Sequence, residues 1–451
     1  MRYFLDPFGC VKNQVDAETM MACLNGAGWT AADEPGGADL IIVNSCGFIE
    51  SAKRESINAV LAWRKQYPDK KILLAGCLSQ RYAGELSESL GEADLLFGNA
   101  DLSKITEAAA RAMDREPDAA FPAGAPAVPP RPFTPELYGQ RPLLSLPGSA
   151  YVKIAEGCNN RCAFCAIPLI RGPLVSRPVP EILAECRALL RRGVREINLI
   201  GQDTGSYGFD RDGGRGETLP DLLEALSALE GRFWVRLLYL HPDHFPFPIL
   251  DTLRRDRRFL PYFDIPFQHG SAKILAAMNR RGNAETYLGL LRTIRAALPA
   301  AVIRSTFMTG FPGETDEDFA ALLDFQEQAR LDWLGCFAWS REEDTPACAM
   351  KRRVPRKTAL ERKRVLEERQ IPITEKNMDK FTGNDYEVLV EEKIEGEEGL
   401  YLGRLYCQAP EVDGAAVIHA GENRRPPEPG TFVSGRVFAR AGVDLRVLLT
   451  G

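Results

Sequence analysis

The chain has 451 residues, of which 45% are hydrophobic and 26% are charged, and its net charge is −6. These values are typical of a soluble globular protein with several domains, and they exclude a disordered chain. No apolar run reaches the roughly 18 residues of a membrane-spanning helix, and the amino terminus is no secretory signal, so we expect a cytoplasmic protein. The negative charge argues against a general nucleic-acid binder.

The first segment, residues 1–116, alternates short apolar runs with helical stretches. The runs 39–44 and 70–75 are typical of buried parallel strands, and the stretch 50–67 between them has a helical pattern. This order predicts a doubly wound α/β domain. Residues 117–147 contain nine prolines, a density that cannot continue a helix or a central strand, so we interpret them as a linker.

The central segment, residues 148–374, repeats strand and helix patterns. Strand-like runs occur at 150–154, 195–200, 233–240, 262–266, 302–308 and 334–339, and helical patterns include 180–192, 219–230 and 315–330. Six such repeats predict a partial (β/α)6 barrel of parallel strands. Barrels of this kind carry their chemistry at the carboxyl ends of the strands.

The last segment, residues 375–451, changes character. Short strand patterns at 386–390, 400–404, 415–418 and 431–437 are separated by Gly, Asp and Pro turns, which predicts a small antiparallel β-barrel. A charged helix over about 358–368 connects this barrel to the central segment. The overall fold class is therefore α/β, with a β-barrel at the carboxyl end.

A compact group of three cysteines follows the first strand of the central segment: Cys158, Cys162 and Cys165. Gly157 before them permits a tight bend. Thiolates are the ligands of iron–sulfur clusters, and three ligands for four irons leave one iron open to bind a small molecule. Structural zinc is the alternative, but it needs four Cys or His ligands, and all four histidines lie far downstream.

Three more cysteines, Cys10, Cys46 and Cys77, each follow a predicted strand of the first segment. In a parallel sheet the carboxyl ends of the strands lie along one edge, where ligands bind. The three thiolates are therefore candidates for a second three-ligand site. Three buried apolar cysteines are the alternative that these residues leave open.

The loop of Cys158, Cys162 and Cys165 resembles the signature of the radical S-adenosylmethionine superfamily. The stretches 9–18, 44–49 and 76–82 resemble the amino-terminal motifs of the methylthiotransferases, and the terminal barrel resembles a TRAM domain. The resemblance covers essentially the whole chain, although Ala17 departs from the usual serine. It divides the chain into a methylthiotransferase domain (1–116), the linker (117–147), a radical core (148–374) and a TRAM barrel (375–451).

The resemblance implies two [4Fe–4S] clusters and S-adenosylmethionine as cofactors. The cluster on Cys10, Cys46 and Cys77 would carry the sulfur to be transferred, which a first S-adenosylmethionine methylates. The other cluster would cleave a second S-adenosylmethionine to a radical that abstracts a substrate hydrogen. An external electron donor and a sulfur source are then required. No catalytic side chain is assigned, because the cofactors carry the chemistry.

Five further residues are cofactor-binding candidates by the same resemblance. Phe164, before the last cysteine, would lie by the adenine. Gln202 and Asp203 follow the second strand of the predicted barrel, while Gly310 and Glu314 follow the fifth. The glycine there lets the backbone approach a ligand closely. An ordinary turn that begins a helix is the alternative for this second motif.

The family divides by substrate between tRNA adenosines and the β-carbon of an aspartate in ribosomal protein S-twelve of the small subunit. Residues 375–451 contain 14 acidic and 9 basic residues, which suits a basic protein better than tRNA phosphates. Lys12 and the stretches 264–269 and 409–414 resemble the protein-directed branch, whereas Val11 departs from its usual proline. A tRNA methylthiotransferase is the alternative. The basic stretch 351–369 is a candidate for secondary contact with ribosomal RNA, although a solvated helix is the simpler interpretation.

Overall fold

The computed structural model describes residues 1–114, 135–421 and 426–450. They form an open five-stranded sheet, an open six-stranded sheet, a closed five-stranded barrel and a two-stranded hairpin. Much of the predicted linker, residues 117–134, lies outside the described residues. Within the described ranges, no helix has both the length and the apolar character needed to cross a membrane.

The first sheet is wholly parallel, with the strand order β2-β1-β3-β4-β5. Its strands are β1 (Arg2–Pro7), β2 (Thr30–Ala31), β3 (Leu40–Ser45), β4 (Lys71–Gly76) and β5 (Leu95–Phe97), and its helices are α1 (Val11–Gly26), α2 (Glu50–Gln66), α3 (Cys77–Arg81), α4 (Ala83–Ser89) and α5 (Ile105–Asp114). Apolar side chains of α1 and α5 cover one face, and those of α2 and α4 cover the other. The doubly wound prediction is therefore confirmed.

The six-stranded sheet is also parallel and runs in sequence order. Its strands are β6 (Ser149–Lys153), β9 (Glu196–Ile200), β10 (Trp234–Leu237), β11 (Phe259–Asp264), β12 (Val302–Thr309) and β13 (Trp333–Ala338), and the hairpin is β7 (Ala155–Glu156) with β8 (Val175–Ser176). The accompanying helices are α6 (Pro135–Gln140), α7 (Ile167–Arg171), α8 (Val179–Arg191), α9 (Leu219–Ser227), α10 (Ile249–Arg255), α11 (Ala272–Ala277), α12 (Ala284–Ala297) and α13 (Asp316–Ala329). The partial-barrel prediction is confirmed.

The strand predicted over 233–240 ends earlier, at Leu237. Tyr239 has a φ of +63°, a left-handed conformation that is a strong outlier for a bulky residue and that no regular strand contains. Its carbonyl accepts hydrogen bonds from the backbone N–H (2.9 Å) and the hydroxyl (3.2 Å) of Thr204. The turn after β9 therefore holds Tyr239 in this conformation.

The carboxyl-terminal part begins with the long helix α14 (Arg356–Met378) and closes into a barrel with the strand order β14-β15-β16-β18-β17. The strands are β14 (Asp385–Lys393), β15 (Leu400–Arg404), β16 (Ala416–His419), β17 (Phe432–Ala441) and β18 (Asp444–Leu449). The barrel prediction is confirmed, and β18 is an additional strand. It pairs in parallel with β16, whereas the other pairs are antiparallel.

The loop between β15 and β16 packs the barrel against the six-stranded sheet. The indole N–H of Trp333 donates to the carbonyl of Cys407 (2.7 Å), and the hydroxyl of Tyr262 donates to Asp413 (2.6 Å). Arg404 pairs with Glu196 (2.6 Å) on β9. The stretch 409–414, which resembles the protein-directed branch, is thus part of a contact between the barrel and the core.

The buried carboxyl of Asp413 makes this contact sensitive to pH. Burial raises the pKa of Asp413 to about 6, although Arg304 opposes the shift. The pKa of Asp413 is higher in the folded chain than in the unfolded chain. The protonated carboxyl therefore contributes fully to stability below pH 4, and this contribution is lost as the pH rises through 6. The difference is at most about 3 kcal/mol. We expect Asp413→Asn to reduce the change in unfolding free energy between pH 5 and pH 7.5, measured with urea on the full chain.

Asp385→Asn is the matched control for this measurement, because Asp385 lies on the same barrel in an exposed ion pair with Arg436. Solvent screens an exposed pair of this kind, so its contribution to the unfolding free energy is small. An Asp413→Asn variant with the same pH dependence as the unaltered chain and the control would contradict the prediction.

Candidate functional site

Cys10, Cys46 and Cys77 lie together at the carboxyl edge of the five-stranded sheet. Cys10 precedes α1, Cys46 directly follows β3, and Cys77 begins α3 directly after β4. Because β1, β3 and β4 are parallel neighbours, the loops that carry the three thiols leave the sheet side by side.

Close approaches between these loops fix the arrangement. A Cβ atom on Gly9 would lie 3.1 Å from the Cβ and 3.5 Å from the Sγ of Cys46, and a Cβ on Gly47 would lie 2.6 Å from the carbonyl oxygen of Cys77. Any side chain at Gly47 would therefore collide with the backbone of the third loop. The small residues beside the cysteines permit the three loops to meet.

Asn13, on the first turn of α1, contacts all three loops. Its Nδ2 donates to the carbonyls of Phe8 (2.7 Å) and Ser45 (3.0 Å), and its Oδ1 lies 3.5 Å from the Sγ of Cys77. The sequence motif contains Asn13 but predicts no role for it. In the structure Asn13 lies on the first turn of α1, beside the edge of the sheet. Its contacts fix the three loops relative to one another.

The pKa values of two thiols of this triad, Cys46 and Cys77, are shifted toward the protonated form. Burial raises the pKa of Cys77 to about 12 and also raises that of Cys46, and the neighbouring Cys10 adds to both shifts. The Sγ of Cys77 also accepts hydrogen bonds from Arg171 (3.3 Å) and Asn99 (3.4 Å). Binding iron here must displace protons, and these two donors stabilise the thiolate that results.

Cys158, Cys162 and Cys165 form a second triad on the loop between β7 and α7. Gly157 before them has a φ of +69°, as the predicted tight bend requires. Burial raises the pKa of Cys158 to about 11 and that of Cys165 to about 12, and the Cys162 thiolate adds to both shifts. The mutual influence of the three thiols is consistent with sulfur atoms that lie close together.

No three His, Cys, Asp or Glu side chains of the described ranges form a group that suits a single metal ion. A four-iron cluster is larger than one ion, so its thiolate ligands stand further apart. In donor type and number, both triads fit a [4Fe–4S] cluster with one open iron.

Asp203 holds the second triad to the six-stranded sheet. Its carboxylate accepts hydrogen bonds from Asn160, between Cys158 and Cys162 (2.8 Å), and from the hydroxyl of Ser206 (2.6 Å). It also accepts the backbone N–H of His241 (3.2 Å). These contacts make Asp203 a positioning residue for the loop. The adjacent Gln202 is half-buried.

Gly310 and Glu314 lie together after β12. The backbone N–H of Gly310 donates to Oε2 of Glu314 (2.8 Å), while Arg362 pairs with Oε1 (2.5 Å). The Nε2 atom of His269 lies 3.5 Å from the same carboxylate. Glu314 therefore fixes the turn through its carboxylate, both oxygens of which are engaged.

Phe164 is half-buried in an apolar cluster that also contains Met308, Phe311 and Trp339. The indole N–H of Trp339 is buried and has no hydrogen-bond partner among the described residues. An apolar surface with one unused donor suits an aromatic ring that carries acceptor atoms. The adenine of S-adenosylmethionine is such a group.

The two triads lie on either side of one contact between the sheets. Cys77 packs directly against Ala166 and Ile170, and Ala166 is the residue after Cys165. The helices α3 and α7, which follow the two triads, also contact each other. The fold therefore brings the two candidate cluster sites next to each other.

Arg171 connects the two sites through buried charges. Besides Cys77, its guanidinium contacts Asp16 on α1 (2.7 Å) and Glu156 on β7 (2.8 Å). Lys153 pairs with the same two carboxylates. On the other side of the contact, Arg81 of α3 pairs with Glu342 after β13 (3.0 Å) and donates to the carbonyl of Gly47 (3.0 Å).

Lys12 is buried at the same contact. It is 5% exposed, and its ammonium lies 2.8 Å from the centroid of the Tyr239 ring. Burial lowers the pKa of Lys12 to about 8. The sequence identifies Lys12 only as a feature of one branch of the family, whereas the structure places it where the sheet edge meets the core.

Three family models match the chain. Residues 2–98 match "Uncharacterized protein family UPF0004", residues 152–325 match the radical SAM superfamily, and residues 382–448 match the TRAM domain. Curated relatives named "Ribosomal protein uS12 methylthiotransferase RimO" align over nearly the whole length. The relative from Treponema denticola is 46% identical over 98% of this chain and 100% of its own, and the one from Pelotomaculum thermopropionicum is 39% identical over 97% and 96%.

The chain belongs to the RimO family of methylthiotransferases. Among solved structures, this RimO-family chain is similar to the radical S-adenosylmethionine methyltransferase TsrM from Kitasatospora setae. The TM-score is 0.56 at 15% identity, over 77% of this chain and 75% of that one. This likeness concerns the fold alone.

Among the site residues that the sequence did not identify are those that join the sheets. Arg171 lies 94 positions after Cys77, and Glu342 lies 261 positions after Arg81. No local pattern links members of such pairs. A basic residue six positions after the last cysteine is the only sign of Arg171 in the sequence.

Proposed function

We propose that this RimO-family chain attaches a methylthio group to the β-carbon of an aspartate in ribosomal protein uS12. The observation that carries the proposal is the adjacency of two three-cysteine sites, in a chain whose relatives over nearly the full length bear that name. A reaction that joins sulfur to an unactivated carbon needs a radical generator next to a sulfur carrier. This arrangement provides a place for each.

Two [4Fe–4S] clusters and S-adenosylmethionine are the proposed cofactors. Cys10, Cys46 and Cys77 would hold the sulfur-bearing cluster, and Cys158, Cys162 and Cys165 would hold the cluster that binds S-adenosylmethionine. When bound, these groups supply the electron, the hydrogen-abstracting radical and the methylthio sulfur. An external electron donor and a sulfur source complete the reaction.

The side chains around the clusters act by binding and orientation. Phe164 and Trp339 offer an apolar surface and a donor for the adenine, and Gln202 and the backbone at Gly310 lie on the turns that approach the cofactor. Asp203 and Glu314 hold those turns in place. Because Cys10 directly precedes α1 and α1 also packs against β6 of the core, the helix keeps the two sites at a fixed separation.

A protein substrate fits this chain better than tRNA does. The relatives carry the name of a uS12 enzyme, and the described barrel exposes the acidic residues Glu392, Glu395, Glu397 and Glu398. A TRAM domain is consistent with a secondary contact to nucleic acid. The exposed basic run Lys351–Lys357 is a further candidate for it, whereas the charges of Lys363 and Arg364 are paired along α14. Modification of a ribosomal protein is consistent with an activity in the cytoplasm.

The test is mass spectrometry of purified uS12 after anaerobic incubation with the reconstituted enzyme, S-adenosylmethionine and a reductant. We expect the methylthio mass increment on one aspartate. Parallel reactions with tRNA should leave its adenosines unchanged. An increment on tRNA and none on uS12 would establish the alternative substrate and refute the proposal.

A further inference from the structure

Lys12 is a buried cation that forms no ion pair or hydrogen bond within the described part of the chain. Lysine is almost never fully buried unless it is paired, yet the ammonium of Lys12 contacts only the face of the Tyr239 ring, among the interactions of the described residues. The nearby carboxylates are engaged elsewhere. Asp264 pairs with Arg304 (3.0 Å), and Glu156 pairs with Lys153 (2.8 Å).

The position of this cation is as unusual as its burial. Lys12 is two residues from Cys10. It lies on the first turn of α1, and that turn contains no acidic residue. Tyr239 lies just beyond the carboxyl end of β10, and its backbone N–H donates to Asp264 at the end of β11 (3.2 Å). The ammonium therefore lies between the candidate sulfur-bearing site and the strand ends of the core. The positive end of the α1 dipole adds to its field.

Backbone strain is concentrated at the same point. Tyr239 adopts its left-handed conformation although it is bulky, and Thr204 holds it there. Strain of this kind clusters at ligand-binding sites. Here it directs an aromatic face toward the ammonium. An aromatic ring orients a cation without neutralising it, so the charge stays available for an anion.

We infer that the ammonium of Lys12 binds the side-chain carboxylate of the aspartate that the enzyme modifies. This inference rests on the proposed function. The carboxylate is one bond from the β-carbon, so anchoring it fixes the carbon that must meet both the radical and the sulfur. An aspartate satisfies the buried charge, whereas an asparagine leaves it uncompensated.

The test compares two substrates, uS12 and uS12 with asparagine at the modified position. Hydrogen bonds to charged groups give about 10- to 100-fold effects, so we expect the reconstituted holoenzyme to react that much more slowly with the asparagine substrate. Lys12→Met should lower kcat/KM for the aspartate substrate by a similar factor and remove the discrimination. Iron content and reductive cleavage of S-adenosylmethionine should not change.

Lys71→Met is the matched control, because Lys71 lies in the same sheet but pairs with Asp94 (2.9 Å) away from the cysteines. It should keep the full preference for aspartate.

Lys12→Gln, which keeps the length and polarity of the side chain, replaces Lys12→Met if that variant loses iron. Dissociation constants of both substrates, measured without reductant, provide a readout that does not depend on turnover.

The outcomes separate this inference from the proposed function. A holoenzyme that modifies neither uS12 nor its asparagine form refutes the proposed function. A holoenzyme that prefers aspartate while Lys12→Met and Lys12→Gln keep the same preference refutes the role of Lys12 and leaves the function intact. If the unaltered enzyme binds both substrates equally, the role of Lys12 is also refuted.

Discussion

Cys77→Ala is expected to lower the iron content of the reconstituted protein from about eight to about four per chain and to abolish methylthio transfer. Reductive cleavage of S-adenosylmethionine should continue, because Cys158, Cys162 and Cys165 lie on a separate loop. Cys165→Ala should lose the same amount of iron together with the cleavage reaction. Iron analysis and quantification of the cleaved cofactor measure both variants.

Cys336→Ala is the matched control, since Cys336 is a buried cysteine on β13 that belongs to the apolar core. It should keep all of the iron and lose only packing energy. If Cys77→Ala kept about eight irons, or lost cofactor cleavage together with transfer, the assignment of two independent clusters would be wrong.

Arg171→Met is expected to destabilise the chain by about 3–5 kcal/mol, because removal of one partner leaves buried charges uncompensated. Asp16 and Glu156 would then share Lys153 as their one remaining cation among the described residues. The Sγ of Cys77 would lose a hydrogen-bond donor that also carries positive charge. Urea unfolding measures the loss of stability. The reduction potential of the cluster held by Cys10, Cys46 and Cys77 should fall in the Arg171→Met protein.

Two comparisons make this result specific. Arg364→Met removes an exposed arginine whose pairs lie along α14, so it should leave the unfolding free energy nearly unchanged. Arg171→Lys keeps the charge but loses the fork geometry that reaches Asp16 and Glu156 together, and its effect should be intermediate. An Arg171→Met protein as stable as Arg364→Met would contradict the network.

The sheets and the barrel could be predicted because their strands carry local patterns. The apolar run that became β3 and the turn-separated strands of the barrel are visible within a few residues of sequence. The last strand, β18, was not predicted, although its alternating burial is clear in the structure. The early end of β10 depends on Thr204, 35 positions before Tyr239, and a local pattern contains no such information.

The candidate site was predictable in part for the same reason. Cysteines at strand ends indicate one sheet edge, and a compact three-cysteine loop is itself a local motif. The adjacency of Cys77 and Ala166 arises from packing between two sheets and could not be read from spacing. The charge count of the barrel overstates its acidic surface, because Glu391 and the side chain of Asp413 are buried.

Two clusters should lie next to each other across the contact of Cys77 with Ala166. Electron paramagnetic resonance of the fully reduced holoenzyme tests it most directly, with Cys77→Ala and Cys165→Ala as single-cluster references. We expect a spectrum split or broadened by magnetic interaction between the two clusters. A spectrum equal to the sum of the two references would contradict the adjacency on which the proposed function depends.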